Sequence, residues 1–183
     1  PGGHVPEHLI ATLLKQEMIQ SASPVLSAYT RTSQEGAEPF LLIGFDPILD
    51  RPLRQWRVDD ANGQSGAVWL DLLKAPYTLV LGKPLDQQLN RDAGGALVLE
   101  HARQKARFKV SGILEPSGLA LAEGGRIALT DIATFQEFTG LFGKVDRIDL
   151  KLASPASIKD LAVIQQLLPE GVQLNPPTAP RES

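Results

Sequence analysis

The run Lys144-Val145-Asp146-Arg147-Ile148-Asp149-Leu150-Lys151-Leu152 sets apolar Ile148, Leu150 and Leu152 in alternation with charged Arg147, Asp149 and Lys151. A period of two is that of a strand with one face buried and the other in water. Downstream, Ser157 is followed by Ile158, Leu161, Ile164 and Leu168 at helical spacing, then by Pro169, Gly171 and the short apolar run Val172-Gln173-Leu174. Ser157 and Asp160 offer a cap for the first helical turn, while Pro169 and Gly171 end the helix. The pattern predicts strand, helix, strand.

The start of the chain resembles a second copy of this unit. Pro6 and Glu7 suit a first helical turn, and Leu9, Ile10, Leu13, Leu14 and Met18 form one apolar face. The polar Ser21-Ala22-Ser23-Pro24 leads into a strand at Val25 to Tyr29, which pairs with Phe40 to Phe45 as a hairpin. Leu13 and Leu161 are expected to face one sheet, with Ile43 and Leu150 in one core. Because these pieces come from the two ends of the chain, the roughly hundred residues between them must form an insertion or a second lobe.

The insertion reads as mostly β. After a turn-rich crossover from Asp46 to Pro52, a helix is expected at Ala67 to Lys74 with Val68, Trp69, Leu72 and Leu73 inward, then a strand from Tyr77 to Gly82. A short helix follows from Pro84 to Arg91. Ala96 to Glu100 and Ala106 to Leu114 form the clearest hairpin, joined by polar residues 101–105. Gly118 and Gly124-Gly125 bracket a loop, Arg126 to Leu129 is a strand, and Thr130-Asp131 begins a helix that Gly140 ends, with Ile132, Phe135 and Phe138 inward. The fold class expected is α+β: a βαβ lobe from residues 1–47 and 145–175, an inserted mostly-β lobe over 48–144, and a polar Pro-rich tail at 176–183.

Composition narrows the function. The 183 residues are 43% hydrophobic and 21% charged, as in ordinary soluble domains, and 18 Lys plus Arg against 21 Asp plus Glu give a formal charge of −3. No basic run marks a nucleic-acid surface. The absence of cysteine excludes thiolate metal sites, disulfides and cysteine nucleophiles. No window reaches the roughly 20 apolar residues that span a bilayer. His4 and His8 are four apart but straddle Pro6 at a helix start, which suits a solvated terminus better than a metal site. Asp59-Asp60, Asp86 and Asp92 read as surface charge rather than paired acids. Gly94-Gly95 and Gly124-Gly125 lack the lysine and hydroxyl of a phosphate loop, and Gly63-Gln64-Ser65-Gly66 lacks the spacing of a nucleophile elbow. Neither an enzyme constellation nor a cofactor site emerges.

The order of Leu42 to Pro47, Tyr77 to Gly82 with its short helix, Phe108 to Leu114, Ile127 to Gln136 and Val145 to Leu152 resembles the extracytoplasmic domain of ABC transporter permeases of the FtsX/MacB type. The resemblance covers nearly the whole chain and rests on order and spacing. It implies a porter-like βαβ lobe built from both chain ends with an inserted mostly-β lobe. It also implies a position outside the cytoplasmic membrane between two transmembrane helices, which would account for a start at Pro-Gly-Gly rather than Met. The family's first strand is not evident before His4, and a sequence beginning after it would leave a sheet edge exposed.

Implied partners are cytoplasmic ATPase subunits acting through the rest of the permease, a permease dimer or heterodimer, and a periplasmic partner or lipophilic substrate. No catalysis is implied. The alternative reading is an independent soluble α+β enzyme or ligand-binding protein with its site between the lobes. Partner contact is expected at exposed apolar residues of the insertion. Trp56, in a polar Pro-rich stretch, and Leu119 and Leu121, in the glycine-bracketed loop, are the candidates, although Trp56 suits a seal between the lobes somewhat better.

Overall fold

A computed structural model describes residues 4–54, 58–60, 68–92, 95–115 and 117–176. The elements run β1 (Val5–Pro6), α1 (Leu9–Leu14), β2 (Ile19–Thr32), β3 (Phe40–Phe45), α2 (Pro47–Asp50), β4 (Val58–Asp60), α3 (Val68–Lys74), β5 (Thr78–Gly82) and α4 (Lys83–Gln88). They continue with β6 (Ala96–His101), β7 (Gln104–Leu114), a 3-10 segment (Gly118–Gly125), β8 (Ile127–Asp131), α5 (Ile132–Thr139), β9 (Lys144–Val145), β10 (Arg147–Leu152) and α6 (Ile158–Leu167). The fold is α+β with a mixed sheet.

The pairings close a ring. β2 pairs with β3, β3 with β8, β8 with β5, β5 with β7, β7 with β6, and β6 returns to the far end of β2. β3–β8 and β5–β7 are parallel and the others antiparallel. All six strands contribute to one apolar cluster that includes Leu26, Phe40, Leu42, Leu81, Leu99 and Phe108, and α5 adds Phe135 and Phe138 to it. Gly44 admits this helix: a Cβ there would lie 2.6 Å from Phe135. On the other face of β3, β5 and β8, Ile43, Phe45, Val80, Ile127 and Leu129 pack with Leu72 of α3 and Ala120 of the 3-10 segment.

A third cluster belongs to the chain ends. β10 pairs antiparallel with the first half of β2, and Ile148, Leu150 and Leu152 pack with Leu9 and Leu13 of α1 and Ile164 of α6. The alternation read in β10 is the alternation seen. α6 begins as expected, with Ser157 Oγ accepting from the Asp160 amide at 3.1 Å and the Asp160 carboxylate accepting from the Ser157 amide at 3.2 Å. Strands β5, β7 and β8 and helix α5 also form where the periodicity put them, and Gly140 ends α5 with φ +76°.

Several expectations fail for identifiable reasons. Ile43 and Leu150 lie in different clusters. β2 is 14 residues long and spans about 45 Å, more than one core can cover, so its first half serves β10 and its second half β3. Ser21 to Pro24 lie inside this strand rather than before it, because Ser21 Oγ donates to the Leu49 carbonyl at 2.8 Å and Ser23 Oγ to Asp50 at 2.7 Å. Their hydroxyls are thereby satisfied in the interior. Pro6 belongs to β1, and the first helix ends at Leu14, leaving Met18 beyond it. Val172 to Leu174 pair with no strand, although Leu174 packs on the third cluster. In α6, Ile158 is 89% and Leu161 41% exposed, and Ile164 alone of the helix is fully buried.

Candidate functional site

Trp56 lies outside the described residues. Leu119 falls within the 3-10 segment, its side chain likewise outside the description, and Leu121 two residues on is 56% exposed. Ala120 turns into the cluster against β8, and the tight turn then presents Leu121 to water. The chain leaves through Glu123, Gly124 and Gly125, all at positive φ. This bend aims the Glu123 carboxylate across the surface to Tyr29 on β2, whose hydroxyl donates to it at 2.9 Å. The hydrogen bond and the negative charge raise the phenol pKa above its ordinary value. Beside them Arg126 pairs with Glu38 at 3.2 Å. Exposed Tyr29 is thereby linked to the segment that carries exposed Leu121. Tyr29 was passed over in the sequence because an aromatic residue at the end of an apolar strand looks like core.

The main ionic cluster binds the first half of β2 to its neighbours. Asp50, with no solvent exposure, accepts from Ser23 and from Arg54, and Arg54 also pairs with Asp149 on β10. Arg147 Nε donates to Asp149 at 3.0 Å, and Lys151 Nζ donates to the Pro52 carbonyl at 3.0 Å. Burial and the neighbouring Arg54 lower the Arg147 pKa, which still leaves a guanidinium charged. These groups pair with one another across α2, the turn after it and β10. Asp131, where β8 passes into α5, has its carboxyl pKa raised, mainly by burial, while the amides at the start of α5 pull the other way and nearby Asp46 adds to the rise. Asp46 caps α2, accepting from Ile48 and Leu49 amides at 2.9 and 3.1 Å.

Of the acids weighed from the sequence, Asp86 and Asp92 are held by ordinary partners. Asp86 accepts from Arg91 Nε at 3.1 Å, and Asp92 from the Ala96 amide at 3.0 Å and Arg107 Nε at 3.1 Å. Asp59 and Asp60 sit in β4 at the edge of the sheet. His4 Nε2 is 3.8 Å from Asp146, and His8 stands exposed before α1. Among the described residues no three His, Asp or Glu side chains converge as metal ligands would.

Apolar exposure is more widespread than the loop reading suggested. Ile48 on α2 and Leu70 and Leu73 on α3 are exposed, as are Phe142, Leu14 and the two α6 residues. Leu73, expected inward, points out because α3 rests on the sheet by Leu72 and by Trp69, which meets Phe45 edge-on at 5.8 Å. One hundred degrees of helical rotation separate Leu72 from Leu73.

The sequence matches no family model and no curated protein. Solved structures do match. The periplasmic region of MacB from Actinobacillus actinomycetemcomitans aligns over 89% of this chain and 71% of its own, with TM-score 0.57 at 14% identity. The extracellular domain of the noncanonic ABC-type transporter YknZ from Gram-positive bacteria aligns over 90% of this chain and 78% of its own, with TM-score 0.61 at 12% identity. With the ring, the terminal helices and the strand order all in place, this chain has the α+β fold of the MacB-type extracytoplasmic transporter domains.

Proposed function

We propose that the chain is the extracytoplasmic domain of an ABC transporter permease subunit, a non-catalytic module that couples ATP-driven motion of cytoplasmic subunits to a substrate or partner outside the membrane. The observation that carries this reading is the match of about nine-tenths of the chain to two such domains. It fits a surface on which Asp86, Asp92, Asp149 and Glu38 are paired with arginines and on which several apolar residues stand exposed. The partners are then the ATPase subunits through the rest of the permease, a second permease subunit in a dimer or heterodimer, and a periplasmic protein or lipophilic substrate. No helix among the described residues is long and apolar enough to cross a membrane, so tethering falls to flanking helices.

In this reading the terminal segments 1–47 and 145–175 form the unit nearer the membrane and 48–144 the inserted unit that reaches partners. Sheet pairing runs across that boundary through β3 and β8. Contact with the partner falls to Leu121, Leu119 and Trp56, together with Tyr29, which reaches the segment of Leu121 through Glu123.

Three measurements test the proposal. The coding sequence should continue into apolar runs of about 20 residues on both sides, and a reporter fused within the domain should report an extracytoplasmic location. In the full permease, Leu121→Asp should abolish transport or complex formation while leaving the melting temperature of the domain unchanged. A cytoplasmic reporter signal would overturn the permease reading, and full transport by the variant would overturn the contact surface.

A further inference from the structure

In β7, Lys105, Arg107 and Lys109 are separated by Ala106 and Phe108, so the sequence shows no basic run. The strand collects them. Ala106, Phe108 and Val110 turn into the ring cluster, which leaves the three cations side by side on the outer face. At about 6.8 Å for every two residues, the row is about 14 Å long. Pairing widens it. Glu100 of β6 lies opposite both Lys105 and Arg31 of β2, and directly opposed residues share a face, so Arg31 joins the row; Arg103 follows in the hairpin turn.

Few anions answer these cations. Arg107 is held by Asp92 at 3.0 Å, and Glu100 stands between Arg31 and Lys105. Arg31, Arg103, Lys105 and Lys109 are exposed and, among the described residues, enter no ion pair. Five cations thus share two carboxylates in a chain whose formal charge is −3. The row also stands clear of the chain ends. β10 pairs with β2 only as far as Val25, whereas β6 meets it at Arg31 and Thr32. About 20 Å of strand separates the two, so a further strand laid along β10 would leave the row uncovered.

We propose that this row is a docking surface for an acidic segment of a partner protein, bound in extended form along β7. An extended segment carries every second side chain on one face at the same spacing of about 6.8 Å, so alternate carboxylates meet Lys105, Arg107 and Lys109 in step. Arg107 uses Nε and Nη2 on Asp92 and retains Nη1 for a second acceptor. A short segment fits better than a long polyanion, because outside the row the chain is net acidic and repels one. Single-stranded nucleic acid would call for stacking aromatics, and the row adjoins only Tyr29, whose hydroxyl is engaged by Glu123. A membrane surface rewards a plane of cations with apolar anchors. Here the cations follow a line on the outside of a closed ring, with Val98 as the exposed apolar residue beside them. The surface is independent of the permease reading, since it depends only on the charges of the folded chain.

Fluorescence anisotropy with a labelled peptide of alternating Glu and Ser, about 12 residues long, tests it against the same peptide with Gln for Glu. In about 20 mM salt the chain should bind the acidic peptide and not the neutral one, and about 200 mM salt should weaken the binding severalfold. Lys105→Glu combined with Lys109→Glu should weaken it about tenfold with an unchanged circular dichroism spectrum. Lys74→Glu combined with Lys159→Glu makes the same change of net charge at exposed positions on other elements and should alter it less than about twofold. Glu100→Gln removes an anion from the row and should tighten binding about threefold. No binding by the parent chain overturns the proposal. So does equal loss from the two double variants, which would mean that net charge alone attracts the peptide. Row-dependent binding of anionic phospholipid vesicles or of oligo-dT, with none of the peptide, would assign the row to a membrane or a nucleic acid and overturns it too.

Discussion

A buried carboxylate needs partners, and Asp50 takes them from two elements: the Ser23 hydroxyl on β2 and the Arg54 guanidinium one helical turn on. Arg54 also holds Asp149, which Arg147 reaches as well, so this side chain ties the charge of α2 to that of β10. Replacing Arg54 by Ala removes the cation facing a fully buried anion and should cost about 3–5 kcal/mol in a urea titration. The double variant Asp50→Asn, Arg54→Ala should recover part of that loss. Asp131 tests the opposite sign. Burial raises its folded-state pKa, so its stabilising contribution is present below the unfolded pKa and is lost as pH rises through the folded pKa. Asp131→Asn should therefore be more stable than the parent near pH 7, with the difference vanishing near pH 3 where both states carry the proton. Denaturant titrations at the two pH values measure it, and a gain that grows on acidification would contradict the assignment.

Helix α6 separates what local pattern specifies from what packing selects. Its capping box is encoded by Ser157 and Asp160, which find each other within one turn whatever lies beneath. Its apolar residues recur on one side, yet Ile164 enters the cluster with Leu13 while Leu161 stays largely in water. Leu13→Ala should cost about 2–5 kcal/mol because it empties a filled site. Leu161→Ala should cost less than about 1 kcal/mol. Equal losses from both would place α6 in a different rotation about its axis. The same helix explains why a periodic reading overestimates burial: a period marks a shared face, and the width of the sheet decides how much of that face is covered.

Across the whole molecule, β2 is the common member, lending its first half to β10 and the helices of the chain ends and its second half to the ring. The ring closes through Arg31 opposite Glu100 and Thr32 opposite Leu99, contacts that no local feature of either segment announces. Much of the architecture was nevertheless legible. The alternation of residues 147–152, the hairpin around Ala102, the strand before Gly82 and the helix ended by Gly140 each follow from a period of two or 3.6 residues and from glycine or proline at the break. The order of these elements sufficed for the resemblance that the solved structures bear out at the level of fold. For the candidate site, the glycine-bracketed loop could be read as unable to bury Leu121, because it has no period. Tyr29, Ile48, Leu70 and Ile158 could not be read as surface, because an apolar residue on a regular element is buried or exposed according to what packs against it. The sequence by itself thus determined most of the elements, the cap of α6 and their order, set by interactions within a few residues. Tertiary structure alone decided the closure of the ring, the split of the apolar residues into separate clusters and the burial of Asp50, because each depends on contacts between segments far apart in the chain.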